Sequence, residues 1–315
     1  MIRRWIRGVL LPLVLITVMA CTAQAEVFTD QEKPEDWEER DLLRIWALSF
    51  LDNDAFVLEC GGKTMLVDGG EKAKENALVS FLKEHGMEHL NFIFCTHPHD
   101  DHQAAVYYAI KHGKITANVF VSPFREDYIA YDNLEFQKKT VEVLEKKEIP
   151  FRQMFSGEEL ELGGTRITLY RFDGNTRKPG GGSITINDMS GILWVRYGDA
   201  AILLTADIGG TIQQMLAEQY GTEGLKSDIL KAPHHGKNAV NGDLLRAADP
   251  KLVIITGKVA RTEDCVKQLN YWGIGWKRTS YGTIVMETDG KDWYVNQEYT
   301  SEKVKKQEKQ EKKKK

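Results

Sequence analysis

The stretch Asn91 to Ala105, NFIFCTHPHDDHQAA, sets three histidines and two aspartates within six positions, directly after an apolar run. Asn91 to Cys95 reads as a short buried strand, and Gln103 to Lys111 as a helix stopped by Gly113. His97 precedes Pro98, which drives it to extended backbone. Residues two apart in an extended chain face the same side, so His97 and His99 can grip one ion. Asp101 and His102 open the next helix and can turn to a second. Imidazole and carboxylate are suitable ligands for zinc, manganese or iron. The whole chain has eight histidines, so three within six residues are not scatter.

Two more strand ends carry the same chemistry. Ile202 to Asp207 (ILLTAD) is an apolar run ending in a carboxylate, and a buried carboxylate is costly unless paired or coordinated. Asp207 is placed to bridge two cations, or else to cap the helix that starts near Thr211. Leu230 to Gly236 (LKAPHHG) delivers His234 and His235. One is expected as a ligand and the other as a substrate contact; spacing leaves open which.

Outward from these motifs, strands are predicted at Leu43 to Leu48, Ala55 to Leu58 and Thr64 to Val67, with Gly61-Gly62 as a turn. Helical spacing covers 72–85 and 133–147. The second half predicts strands at 166–171, 184–187, 191–197, 200–205, 228–232 and 252–256, helices at 211–219 and 263–270, and a closing hairpin at 282–287 and 293–295. Each half mixes strands with helices, which implies an α/β fold of two sheets covered by helices on their outer faces. Gly180-Gly181-Gly182 reads as a loop between strands rather than a domain boundary.

The 315 residues suffice for one large domain or two small ones, with ordinary globular composition, 42% hydrophobic and 28% charged. The ends differ from the body. Residues 1–25 join Arg3, Arg4 and Arg7 to an apolar core and a small-x-small site at Ala23-Gln24-Ala25, the pattern of an export signal. Cleavage after Ala25, lipidation at Cys21 with peripheral membrane association, and a retained anchor all remain open. Residues 26–41 are predicted as an acidic, irregular leader, and 298–315 as a disordered Lys-rich tail. Setting aside the three arginines of the signal, and the eight lysines and three glutamates of the last fifteen residues, leaves 31 basic and 43 acidic residues, a net of −12. That body is not a general nucleic-acid binder, because such binding needs many cations to displace counterions. The three cysteines beyond the signal, Cys60, Cys95 and Cys265, have no close spacing and make neither a disulfide framework nor a thiolate metal site.

The pattern His97-x-His99-x-Asp101-His102 resembles the signature of the metallo-β-lactamase superfamily. The rest is similar to the metallo-β-lactamase-like domain of ComEC/Rec2 competence proteins. That resemblance rests on Leu66 to Gly70, Asn187 to Ser190, Leu204 to Asp207, Ala232 to Gly236 and Arg278 to Ile284, and spans about residues 42–297. It implies an αββα sandwich with a hydrolase site at one edge of the sheets. The implied cofactors are two divalent ions, zinc or manganese, held among His97, His99, Asp101, His102, Asp207, His234 and His235. The implied catalytic residues are Asp101, Asp207 and His234, with water activated between the cations. Asp68 is implied as the residue that orients a ligand histidine, or is simply an acidic turn residue.

Three departures stand out. No histidine lies between His112 and His234, so the middle ligand histidine of the lactamases is missing, and Asn187, Asp188 or water would take its place. Ala206 stands where the family usually has glycine, and Lys237 where it usually has serine, offering a cation to a phosphate. The function expected is an exported metal-dependent hydrolase of phosphodiesters, DNA or an envelope polymer. An envelope esterase of the teichoic-acid choline phosphate type, a carbonyl hydrolase and a non-catalytic metal-binding module are the alternatives.

Overall fold

The computed structural model describes residues 25–124, 134–301, 304–306 and 309–310. The first half forms β1 (Val27–Thr29), β2 (Leu43–Ala47), β3 (Phe56–Cys60), β4 (Lys63–Val67), β5 (His89–Phe94), β6 (Thr116–Ser122) and β7 (Phe151–Gln153). Its helices are α1 (Glu75–Glu84), α2 (Asp100–Lys111) and α3 (Leu134–Lys146). The second half forms β8 (Glu159–Leu162), β9 (Thr165–Tyr170), β10 (Ile192–Tyr197), β11 (Ala200–Leu204), β12 (Ile229–Lys231), β13 (Leu252–Ile255) and β14 (Gly275–Arg278). With them go α4 (Gly210–Leu225), α5 (Gly242–Ala248) and α6 (Glu263–Trp272), before β15 (Gly282–Thr288) and β16 (Trp293–Tyr299) return to the first sheet.

The two sheets run β1-β16-β15-β2-β3-β4-β5-β6-β7 and β14-β13-β12-β11-β10-β9-β8. Period-two alternation sorts their side chains into layers. Leu43, Ile45, Met65, Val67 and Phe94 of the first sheet meet Ile202, Leu204, Ile229, Leu252 and Ile254 of the second in a central core. The intervening residues face outward. Trp46, Leu66 and Ile93 pack under Leu78 and Leu82 of α1 and Val106 and Ile110 of α2. Leu203, Leu230 and Val253 pack under Ile212 and Leu216 of α4, Leu244 of α5 and Leu269 of α6. This is the αββα sandwich expected from the sequence.

Strand direction fixes where chemistry can gather. β4 to β7 are parallel, as are β11 to β14. Their carboxyl ends open at one edge of the sandwich, the usual location for a ligand site in such sheets. β2 and β16 point to that same edge, since each is antiparallel to β15 and β2 is linked to β4 through two antiparallel pairings. β1 is parallel to β16, so the chain enters the sheet at the opposite edge.

Several expectations change. Residues 26–41 are not an irregular leader: β1 pairs with β16, and Trp37 is buried against Tyr294. The apolar letters at 184–187 form no strand; Asn187–Met189 is a 3-10 turn whose Ile184 and Ile186 are buried as loop residues. α2 begins at Asp100, so the aspartates sit in its first turn, where the helix dipole favours them. β7, β8, β14 and α5 escape sequence reading because each is short and weakly patterned. Val304, in the tail expected to be disordered, packs against the core beneath α4 to α6. The signal reading of residues 1–24, Cys21 included, lies outside the described residues. Among the described residues no helix is long and apolar enough to cross a membrane.

Candidate metal centre

The motif residues converge at the carboxyl edge, each delivered by a strand end. β4 ends at Asp68, β5 leads into Thr96 and His97, β11 leads into Asp207, β12 into His234 and His235, and β13 into Thr256. The backbone bends sharply here. Asp68, Ala206, His234 and His235 all have positive φ, between 46° and 59°, which non-glycine residues adopt at a cost of about 1–2 kcal/mol each. Such strain clusters at functional sites, where the surrounding fold enforces it. A φ of 46° at Ala206 is a conformation glycine takes without strain, which fits the glycine expected there from the motif.

Asp68 organises the first half of the site. Its carboxylate accepts from Thr96 N at 2.8 Å, from Thr96 Oγ1 at 2.8 Å and from His102 Nδ1 at 2.7 Å. The following glycine lets α2 approach: a Cβ on Gly69 would lie 2.6 Å from Val106 Cγ2, and Gly69 N donates to His102 O at 2.7 Å. His102 is thereby fixed with Nε2 facing Asp207, 3.4 Å from Oδ1.

The second half mirrors it. His235 Nδ1 lies 3.0 Å from both Asp54 Oδ1 and Thr256 Oγ1, and its Nε2 lies 3.3 Å from Asp207 Oδ2 and 3.4 Å from Asp101 Oδ2. Both imidazoles are fully buried, yet neither Nε2 has a hydrogen-bond partner. A buried polar atom left unsatisfied is expensive, and two aimed at one carboxylate mark a place for a cation.

Asp54, His102, Asp207 and His235 are all buried, with one ligand atom from each within 4.8 Å of the others. Asp54 differs from the other three. Its Oδ1 also accepts from Thr256 Oγ1 at 2.6 Å, and its Oδ2 lies 2.5 Å from Lys231 Nζ. With both oxygens engaged, Asp54 orients His235 rather than offering a free ligand atom. The donors facing the shared space are His102 Nε2, His235 Nε2, Asp207 and the partly exposed Asp101. Two imidazoles and two carboxylates fit a divalent transition metal, and the bonds from Asp68 and Asp54 to the far ring nitrogens are the usual support for histidine ligands.

His97 and His99 stand beside this group. His97 Nε2 is 3.1 Å from His99 Nδ1, and His97 Nδ1 is 3.0 Å from Thr96 Oγ1. Asp188 does not turn to them. Its carboxylate is taken up by Thr185 N and Oγ1, Lys178 Nζ at 2.6 Å and Gly209 N. Asn187 Oδ1 is buried without a partner. His234, one-third exposed, places Nε2 3.6 Å from Asp207 Oδ2 at the open side, and Lys237 follows it.

The electrostatics follow from this crowding. Burial opposes charge on His102 and His235, but Asp207 with Asp68, and Asp207 with Asp54, outweigh it. His102 is raised well above its ordinary value and His235 to about 10. Burial would raise Asp207, yet His235, His102 and Lys231 hold it well below the carboxylate range. His97 goes the other way, lowered first by burial and then by His102.

Sequence reading missed Asp54 and Lys231. A lysine inside the apolar strand Ile229–Lys231 was a legible signal, since a buried ammonium needs an anionic partner. Asp54 had a weaker one, an acid in the short Asp52-Asn53-Asp54 loop at a strand end.

Helices flanking two sheets, with histidine and aspartate donors at the strand ends, define a metal-dependent hydrolase class. The model of the metallo-beta-lactamase superfamily matches residues 48–258, and the chain belongs to that superfamily. The ComE operon protein 3 of Bacillus subtilis is 22% identical over 183 residues, 58% of this chain; the chain spans about a fifth, 22%, of that protein's length. The metallo-beta-lactamase fold protein YhfI from Bacillus subtilis is similar over 79% of this chain and 100% of its own, with a TM-score of 0.52 at 12% identity. CmlA, a diiron beta-hydroxylase from Streptomyces venezuelae, covers 79% of this chain and 53% of its own, with a TM-score of 0.47 at 15% identity.

Proposed function

We propose that this protein is an exported metal-dependent phosphodiesterase, hydrolysing a phosphodiester substrate of the nucleic-acid or envelope-polymer kind. The observation that carries the reading is the pair of buried, unpartnered Nε2 atoms of His102 and His235 converging on Asp207. Export rests on the basic-apolar-small pattern of residues 1–25.

His102, His235, Asp207 and Asp101 would hold a divalent cation, zinc or manganese. When bound, it supplies Lewis acidity and lowers the pKa of water. The chain supplies the rest. Asp68 and Asp54 hold the two imidazoles in register through their Nδ1 atoms. Asp101, partly exposed at the start of α2, orients the attacking water by accepting a hydrogen bond from it at a carboxylate oxygen. His234 stands at the open side with its pKa lowered, first by burial and further by Lys237, so its ring is neutral near pH 7. Neutral, its exposed nitrogen can accept the proton released by the attacking water and then return it to the leaving oxygen. The Lys237 ammonium adds a cation for a phosphate oxygen.

The test is hydrolysis of bis-(p-nitrophenyl) phosphate by the purified protein with added zinc or manganese, beside Asp207→Ala. Metal-dependent turnover that disappears in the variant is the expected result. No turnover despite bound metal would refute the phosphodiesterase reading.

A further inference from the structure

We propose that the centre holds a single metal ion per chain, and that the Lys231 ammonium supplies the positive charge a second ion would otherwise bring. This rests on the reading of the centre as a metal site, but not on its substrate.

Two independent observations point there. The first concerns Lys231. It is fully buried on β12, and its Nζ lies 2.5 Å from Asp54 Oδ2, 2.6 Å from Ala206 O and 3.5 Å from Asp207 Oδ1. An ammonium has three donors, and three acceptors surround this one. A buried charge persists only where paired, so Lys231 is a fixed cation in the carboxylate cluster. Asp207, the residue expected to bridge two metal ions, already shares one oxygen with this ammonium and with His102.

The second concerns His97 and His99. Their ring nitrogens face each other at 3.1 Å, and Thr96 Oγ1 takes the remaining nitrogen of His97. A catalytic ion usually needs three protein ligands. Among the described residues one group of three or more histidine, cysteine or acidic side chains gathers closely enough for a metal, and neither His97 nor His99 belongs to it. Of the replacements expected for the missing histidine (Asn187, Asp188 or water), Asp188 spends its carboxylate on Thr185, Lys178 and Gly209.

The two observations meet at Asp207. Lys231 already pairs with the carboxylates of Asp54 and Asp207, so a second divalent ion on the same carboxylates would sit against a fixed, buried ammonium, which is unfavourable.

The experiment is metal counting rather than activity. The protein is loaded with excess zinc, and separately with manganese, dialysed, and its ions counted per chain by elemental analysis and native mass spectrometry. One ion per chain is expected. The double variant His97→Ala/His99→Ala should still retain one, and His235→Ala should retain none. Lys231→Met should take up a second ion in excess metal, with its fold checked by circular dichroism. Two ions in the wild type, or loss of the ion in the His97/His99 variant, would overturn the single-ion centre. A folded Lys231→Met that stays at one ion would overturn the role given to Lys231. If that variant does not fold, the wild-type and His97/His99 counts decide the matter. No retained ion in the wild type would instead sink the metal-site reading itself.

Discussion

Lys231 Nζ lies 2.5 Å from Asp54 Oδ2 and 3.5 Å from Asp207 Oδ1, so one buried ammonium links the aspartate that orients His235 to the aspartate that faces both imidazoles. The superfamily motif is therefore braced from behind by a residue pair that lies outside it.

Asp54→Asn tests that brace. The substitution keeps the shape but removes the charge opposite Lys231. Breaking a buried ion pair on one side typically costs about 3–5 kcal/mol. Losing the carboxylate behind a histidine ligand weakens metal binding by roughly 10–100-fold. Denaturant unfolding reads the first effect and chelator competition the second. Unchanged stability would show that Lys231 does not depend on Asp54.

Asp68→Asn separates positioning from packing. The amide can still accept from Thr96, but it presents N–H rather than oxygen to His102 Nδ1. The ring must then accept there and carry its proton on Nε2, the atom that faces Asp207. Metal affinity should fall by about 10–100-fold, with a stability loss of only about 1–2 kcal/mol. Competition against a chromophoric chelator checks this. Equal losses in both quantities would mean that Asp68 is only a structural turn residue.

Metal binding should stabilise the fold. An ion that binds only the native state at about 100 times its dissociation constant adds about 2.7 kcal/mol. For a domain of this size that is a rise in melting temperature of roughly 5–10 °C. Zinc or manganese should produce the shift, and a chelator should reverse it. His102→Ala should show no shift.

Acid should act through Asp188. Burial pushes its pKa up, but bonds from Lys178 and Thr185 outweigh that and hold it below its ordinary value. A depressed carboxylate adds stability above its unfolded pKa, near 3.9, and that contribution is lost as pH falls through the lower folded value. At pH 7 Asp188→Asn should be less stable than the wild type by about 1–3 kcal/mol. The gap should hold down to about pH 4 and then close as the wild type is protonated. Unfolding curves from pH 7 to 2.5 read it directly; a gap constant throughout would remove Asp188 as the source.

The sandwich was legible because its longer strands alternate cleanly and its helices carry apolar stripes. Leu43, Ile45 and Ala47 point one way and Trp46 and Leu48 the other, and the structure sorts them into two cores. The ligand cluster was legible because His97 to His102 concentrates donors at a strand end. What sequence could not supply was the third dimension. Asp54 and Lys231 are 177 positions apart and meet only because β2 and β12, in different sheets, end at the same edge. The turn at Asn187 looked like a strand because its isoleucines are apolar; they are buried to close the loop, not to form a ladder. The open choice between His234 and His235 was a matter of depth: His235 is fully buried between Asp54 and Asp207, and His234 is one-third exposed.

The parallel pairing of β1 with β16 gives the molecule a head and a foot. Val27 enters beside Trp293 at the edge away from the metal centre, whereas Tyr299 leaves toward it, with Thr300 N bonded to Tyr281 O. A tether at the amino end would hold the protein by its foot and turn the centre outward.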